Sequence, residues 1–293
     1  MKKILAMAVT AVMTLGLVAC GDKAADTVNE AVDNADVAVV EEAENTVEAV
    51  EAEEERTQLV VGFDAEFPPY GSIDEATGEY VGFDLDLAAE VCARNGWELV
   101  KQPIDWDAKD MELSSGSIDC IWNGFTINGR EEQYTWTIPY VDNSQVFVVA
   151  ANSGIASKAD LADKNVGVQK DSSALAALED EENAELAASF ASLTQYADYN
   201  TGFMDLEAGA IDVLALDVGV AKFQIASREE GAYVILDDPL SLEQYGVGFL
   251  LGNTSLRDKV ETTLLEMAED GTFMKIAENY GDFGLTDSVC LGK

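Results

Sequence analysis

Val146-Phe147-Val148-Val149-Ala150 is a run of five apolar residues with no polar residue between them. Successive side chains of a strand point to opposite faces of a sheet, so a strand with one wet face alternates apolar and polar residues. An unbroken run belongs in a sheet covered on both faces, as in α/β proteins. The flanking sequence supplies the covering helices. Val166-Gly167-Val168 is a second short strand, and Asp171-Ser172-Ser173 after it suits the N-cap of a helix that starts at Ala174. A helix over 202–208, a strand over 213–216 and a helix over 218–227 continue the alternation. Upstream, Leu59-Val60-Val61-Gly62-Phe63 is a strand ending at Asp64. Leu85, Leu87, Ala88, Val91 and Cys92 give 83–94 a helical apolar face, stopped by Asn95-Gly96. Strands over 97–100 and 118–122 enclose a helix over 106–113 that ends at Ser114-Ser115-Gly116, and a late strand over 247–251 precedes helices over 256–268 and 273–280.

The chain begins with a segment that is not part of this fold. Lys2 and Lys3 precede an uncharged apolar stretch from Ile4 to Val18, the layout of a secretory signal. Leu17-Val18-Ala19-Cys20 is similar to the bacterial lipobox, which predicts acylation of Cys20 and retention on a membrane outside the cytoplasm. Residues 21–56 hold thirteen acids against Lys23 and Arg56, with no aromatic residue and no proline. Such a segment cannot bury enough apolar surface to offset chain ordering, and it is expected to be a disordered, solvated tether.

Of 293 residues, 56 are Asp or Glu and 17 are Lys or Arg, for a net charge of −39. That balance excludes nucleic acid as a partner, because affinity for it rests on cations against phosphates. There is no histidine, which removes His-based triads, His zinc sites and His general bases. Cys92 and Cys120 fall on a predicted helix and a predicted strand as small core residues; Cys290 falls in a tail over 286–293 expected to fray. No metal, cofactor or catalytic residue is assigned.

Two polar stretches, Val141-Asp142-Asn143-Ser144 and Asp237-Asp238-Pro239-Leu240-Ser241, divide the folded part. If the late strand rejoins the first series, the chain crosses between two lobes twice. The expected lobes are 57–143 with 243–285, and 144–242. Two crossings make a hinge, and the cleft beside a hinge suits a small molecule.

Arg130 is the only Lys or Arg between Lys109 and Lys158. Its planar fork fits a carboxylate in two-pronged fashion, so it is either a ligand anchor or an ordinary ion pair with Glu131, Glu132 or a distant acid. Asp217 either caps the helix that follows it or faces a ligand. Asp84 and Asp86 read as acids at a helix N-terminus.

Phe63-Asp64-Ala65-Glu66-Phe67-Pro68-Pro69-Tyr70, Gly82-Phe83-Asp84-Leu85-Asp86-Leu87, Ser115-Gly116-Ser117-Ile118-Asp119, Phe125-Thr126-Ile127-Asn128-Gly129-Arg130, Pro139-Tyr140, Gly209-Ala210-Ile211-Asp212 and Asp270-Gly271-Thr272-Phe273 occur in that order. The set resembles the amino-acid-binding proteins of bacterial solute-binding family 3, which serve ABC importers, over nearly all of 57–285. The resemblance implies a two-lobed periplasmic-binding-protein-like α/β fold of type II, with each lobe a sheet flanked by helices and a two-strand hinge between them. It also implies a monomer that captures a free L-amino acid and delivers it to a permease and its ATPase, with no chemistry performed.

By position, the resemblance assigns the ligand's α-carboxylate to Arg130, Thr126 and Ser173, and its α-ammonium to Asp217 and the Gly124 carbonyl. Side-chain recognition falls to Asp64, Phe67, Trp106, Asn123 and Gln169, with Phe67 and Trp106 as aromatic walls able to attract a cation. Asp64 points to a polar or basic ligand. Two departures stand out: three residues separate Thr126 from Arg130 where the family commonly has four, and Lys170-Asp171-Ser172-Ser173 replaces the usual Gly-rich turn. Two rival functions carry the same fold. One is a lipid-anchored sensor; the other is a dehydratase-like enzyme, for which Asp64 or Glu66 would have to supply the acid.

Overall fold

The computed structural model describes residues 56–292; the signal segment, Cys20 and residues 21–55 of the acidic tether lie outside the described residues. Arg56, at the junction, pairs with Asp119 at 2.8 Å. The chain then forms strand β1 (Gln58–Phe63), a meander of β2 (Glu66–Phe67), β3 (Gly71–Ile73) and β4 (Tyr80–Val81), helix α1 (Phe83–Asn95) and strand β5 (Glu98–Pro103). A 3-10 turn over Trp106–Ala108 leads into α2 (Lys109–Ser115), β6 (Cys120–Ile121) and β7 (Tyr134–Trp136). Strand β8 (Val141–Ala150) carries the chain into a second series: β9 (Asn165–Gln169), α3 (Ser173–Glu179), α4 (Ala184–Ala188), β10 (Ser192–Tyr196), α5 (Tyr199–Ala208), β11 (Val213–Asp217), α6 (Val218–Ala226) and β12 (Tyr233–Ile235). Strands β13 (Ser241–Tyr245) and β14 (Gly248–Leu250) lead back, followed by α7 (Thr254–Glu269), α8 (Thr272–Glu278) and α9 (Leu285–Ser288).

Besides the small β2-β3-β4 sheet, two larger sheets result, each with helices against it, so the protein is a two-lobed α/β fold. The first has the order β5-β1-β6-β14-β7, with β14 running antiparallel to both neighbours. The second has the order β10-β9-β11-β8-β12. The run Val146–Ala150 lies inside it, and Phe147, Val148 and Val149 are fully buried. Helix α1 lays Leu85, Leu87, Ala88, Val91 and Cys92 on the first sheet and stops at Gly96, whose φ of 70° is left-handed. Strands β8 and β13 pair antiparallel from Val141↔Tyr245 to Gln145↔Ser241, and together they form the two-stranded link between the lobes.

Several expectations change. The polar stretch 141–144 is not a loop but the first part of a ten-residue strand, held as strand by its pairing with β13 in the link between the lobes. Trp106–Ala108 is a separate 3-10 turn, and the α-helix begins only at Lys109. The strand expected over 118–122 is regular only at Cys120 and Ile121, with flanking backbone bonds to β1 from the Asp119 N–H to the Val60 carbonyl at 2.8 Å and from the Trp122 N–H to the Gly62 carbonyl at 3.1 Å. The tail around Cys290 does not fray: Leu285, Val289 and Leu291 are buried, Val289 bridges to Val141, and the Cys290 N–H donates to the Tyr140 carbonyl at 3.0 Å.

Candidate functional site

The link between the lobes also forms the floor of a cleft. Alternation along β8 and β13 puts Asn143, Gln145, Glu243 and Tyr245 inward, all buried, while Asp142 and Leu242 face out. Asp217 ends β11 over this floor, only 2% exposed. It precedes α6 but makes no side-chain cap bond to it. Its Oδ1 instead accepts from Asn143 Nδ2 at 2.8 Å, from Gln145 Nε2 at 2.7 Å and from the Tyr245 hydroxyl. All three donors converge on Oδ1, which leaves Oδ2 to the cleft. Burial and the neighbouring Glu243 raise the Asp217 carboxyl above the usual carboxylate range.

The first lobe contributes the loop after β6. Gly124 has a left-handed φ of 56°, and its N–H donates to Asp84 Oδ2. Asp84 is therefore more than a helix-terminal acid: it is fully buried and holds this loop in place. Asp86 likewise has a partner, accepting the Tyr280 hydroxyl at 2.7 Å. The short segment before Arg130 closes as a turn, with the Arg130 N–H donating to the Ile127 carbonyl at 2.9 Å and Gly129 at φ 80°. Asn128 Oδ1 accepts the Gln244 N–H at 2.8 Å, which ties the turn to β13. Arg130 makes no ion pair among the described residues. Its guanidinium lies 5.4 Å from the Phe125 ring, with Nη1 3.4 Å from the Thr126 carbonyl.

From the second lobe, Gln169 ends β9. Ser172 caps α3, accepting from the Leu175 N–H at 3.1 Å, and Ser173 opens that helix. The helix therefore starts one residue earlier than its sequence suggests. Phe67, Trp106, Asn123, Gly124, Thr126, Arg130, Gln169, Ser172, Ser173 and Asp217 line one narrow pocket between the lobes. Nine of these are residues singled out from sequence. The tenth, Asp64, is not on the pocket wall: its Oδ2 accepts from Gln169 Nε2 at 2.7 Å and its Oδ1 from the Glu66 N–H at 2.8 Å. Burial pushes the Asp64 carboxyl up to about 6. Gln169 spends its other amide hydrogen on the Ala197 carbonyl at 3.0 Å. A ligand nitrogen reaching Asp64 would have to displace Gln169.

The lobes meet across the pocket. The Trp106 indole donates to the Asp171 carbonyl at 3.2 Å, Lys109 pairs with Asp171, and Lys170 pairs with Asp107 at 2.7 Å. Lys109 is 2% exposed and lies under the Trp106 ring, 5.1 Å from its centroid. On the far side of the pocket, Tyr70 packs so closely on Gly219 that a Cβ there would sit 2.4 Å from its hydroxyl.

Sequence reasoning missed Ser172 as a pocket residue, and it missed the floor of Asn143, Gln145, Glu243 and Tyr245. The signal for the floor was present in the period-two spacing of Ser241, Glu243 and Tyr245, but it lay in a segment too polar to read as a strand.

The fold and this site define a class: two α/β lobes on a double-stranded hinge, with a polar pocket between them that carries one cation and one acid from opposite lobes. The model of the bacterial extracellular solute-binding proteins, family 3, matches residues 59–283. The chain belongs to that family. It is 28% identical over 229 residues to the L-cystine-binding protein TcyJ of Escherichia coli K12, covering 77% of this chain and 83% of that one. It is 30% identical over 236 residues to the histidine-binding periplasmic protein of Salmonella typhimurium LT2, covering 77% and 88%. A substrate-binding protein of an ABC uptake transporter from Streptococcus pneumoniae, solved with bound histidine, superposes with a TM-score of 0.73 at 34% identity, covering 76% and 92%. These relatives are binding proteins rather than enzymes.

Proposed function

We propose that this protein captures a free polar or basic L-amino acid outside the cytoplasm and hands it to an ABC permease and its ATPase. The ligand's α-carboxylate goes to the Arg130 guanidinium and its α-ammonium to Asp217 Oδ2. The observation that carries this reading is the pairing of two unspent opposite charges on one pocket, Arg130 without an ion pair and Asp217 with all its donors on one oxygen. A zwitterion fits that arrangement; a sugar or a simple anion does not. Binding makes or breaks no bond, and closure of the lobes strengthens the contacts by excluding water. Phe67 and Trp106 wall the ligand side chain, and Asn123, Gly124, Gln169 and Ser173 complete the grip. Asp64, released from Gln169, receives a side-chain nitrogen.

Residues 57–143 with 243–285 act as one lobe and 144–242 as the other, moving as a monomer about β8 and β13. Acylated Cys20 holds the protein on the membrane, and the acidic segment 21–56 serves as its tether. No helix among the described residues is long and apolar enough to cross a bilayer. Cys20→Ser should release the protein from membranes; lipid labelling that persists in that variant would defeat the anchor.

A thermal-shift screen of the twenty amino acids with ornithine and cystine tests the central claim. A ligand at 100 times its Kd stabilises by ~2.7 kcal/mol, a readily measured rise in Tm. Failure of every amino acid to raise the Tm would refute the reading, and preference for Glu or Asp would refute the polar-or-basic specificity.

A further inference from the structure

The cleft holds a carboxylate that an amino-acid zwitterion does not require. Glu243 is 6% exposed and stands directly across the strand pair from Asn143. Its Oε1 accepts from Thr126 Oγ1 at 2.9 Å, Asn143 Nδ2 at 2.7 Å and Gln145 Nε2 at 2.8 Å, and it lies 3.5 Å from Ser173 Oγ. A threonine hydroxyl has one hydrogen to give. Two acceptors compete for the one on Thr126: Glu243 and, at 3.1 Å, Ser173 Oγ. The contact to Glu243 is the shorter, 2.9 Å against 3.1 Å, so the hydrogen goes to Glu243. Lone pairs are then all that the hydroxyl offers a ligand, and lone pairs repel a carboxylate.

The Thr126 backbone is placed differently. Its neighbours bond to β13, with the Gly246 N–H donating to the Phe125 carbonyl at 3.0 Å and the Ile127 N–H to the Gln244 carbonyl at 2.9 Å. Alternation therefore turns the Thr126 N–H away from that strand.

We propose that Glu243 is a positioning residue that limits affinity, by drawing the Thr126 hydroxyl away from the ligand's carboxylate and leaving that group to Arg130 and backbone N–H donors. The inference rests on the amino-acid-binding reading above. In this arrangement the Thr126 side chain contributes little to binding as long as Glu243 holds that hydrogen. Replacing the Glu243 carboxyl by a weaker acceptor returns the hydroxyl to the ligand.

A double-mutant cycle tests the coupling, with calorimetric Kd values for whichever of L-histidine, L-arginine and L-cystine binds the wild type most tightly. Thr126→Val should weaken that ligand less than threefold in the wild type. In the Glu243→Gln background the same substitution should weaken it tenfold or more. Glu243→Gln keeps an acceptor oxygen for Asn143 and Gln145. Glu243→Met, which removes charge and acceptor together, should give the same coupling should the Gln variant fold poorly. Equal penalties in both backgrounds, or a larger one in the wild type, overturn the proposal. Loss of all binding in both Glu243 variants, with their melting intact, overturns it as well, because Glu243 would then be a ligand contact. A wild type that binds none of the three, and no other amino acid in the screen, defeats the amino-acid reading and this inference with it.

Discussion

Arg130 and Asp217 reach one pocket from opposite lobes, and each is prepared differently. Arg130 is presented by a four-residue turn closed by its own N–H and pinned through Asn128 to the hinge. Asp217 is oriented by two amides and a phenol that leave one oxygen unspent. Because Arg130 is half-buried and outside the core, Arg130→Ala should leave the melting temperature nearly unchanged. It should weaken amino-acid binding by about 100-fold, roughly the ~3 kcal/mol of two charge-assisted hydrogen bonds, in a calorimetric titration. Unaltered affinity would remove Arg130 from the site. The ordered resemblance singled out Arg130 and Asp217 in the sequence; isolation among acids and a helix-start position by themselves left an ordinary ion pair and a helix cap open. Glu243 was not legible, because its role depends on a cross-strand partner 100 residues away. Nor was the bond between Asp64 and Gln169, which spans the two lobes.

Among the elements, the long helices and apolar strands could be read from sequence because they are long enough to show a period and end in recognisable stops. Gly96 and Gly116 both take the left-handed conformation their positions suggested. The meander β2 to β4 was not readable, since strands of two or three residues are too short to establish alternation. The contact between the start of α6 and the first lobe carries its own prediction. Gly219 is not at positive φ, so alanine is tolerated locally, but its Cβ would strike the Tyr70 hydroxyl across the cleft. Gly219→Ala should therefore prop the lobes apart. Affinity should fall about tenfold, the ~1.4 kcal/mol that a modest steric obstacle can cost, with an increased radius of gyration in small-angle scattering. An unchanged radius together with full affinity would show that Tyr70 simply moves aside.

At the scale of the whole molecule, buried acids shape the response to pH. Burial raises the Asp64 carboxyl to about 6 and the Asp84 carboxyl to about 7, against an ordinary value of 3.8 in each case. Between pH 4 and 7 the folded state therefore holds protons that the unfolded chain has released. This stabilisation is complete below the unfolded value and is lost as pH rises through about 6 and 7. Calorimetric melting should show the ligand-free protein gaining stability from pH 8 down to pH 5, and Asp64→Asn should flatten part of that slope. A slope of the opposite sign would contradict the burial described for these acids. Closure has its own electrostatic signature. Lys109→Met removes a buried cation from its pair with Asp171 and should weaken ligand binding without abolishing it, with calorimetry as the check. Finally, β14 lies between β6 and β7 in the first sheet although it is made more than a hundred residues after them. A chain emerging N-terminus first into the compartment where it folds can complete the second sheet while the first still has a gap at that position. The lobe that begins first is thus the one that finishes last, and until Leu250 has emerged β6 and β7 present open edges to any other strand they meet.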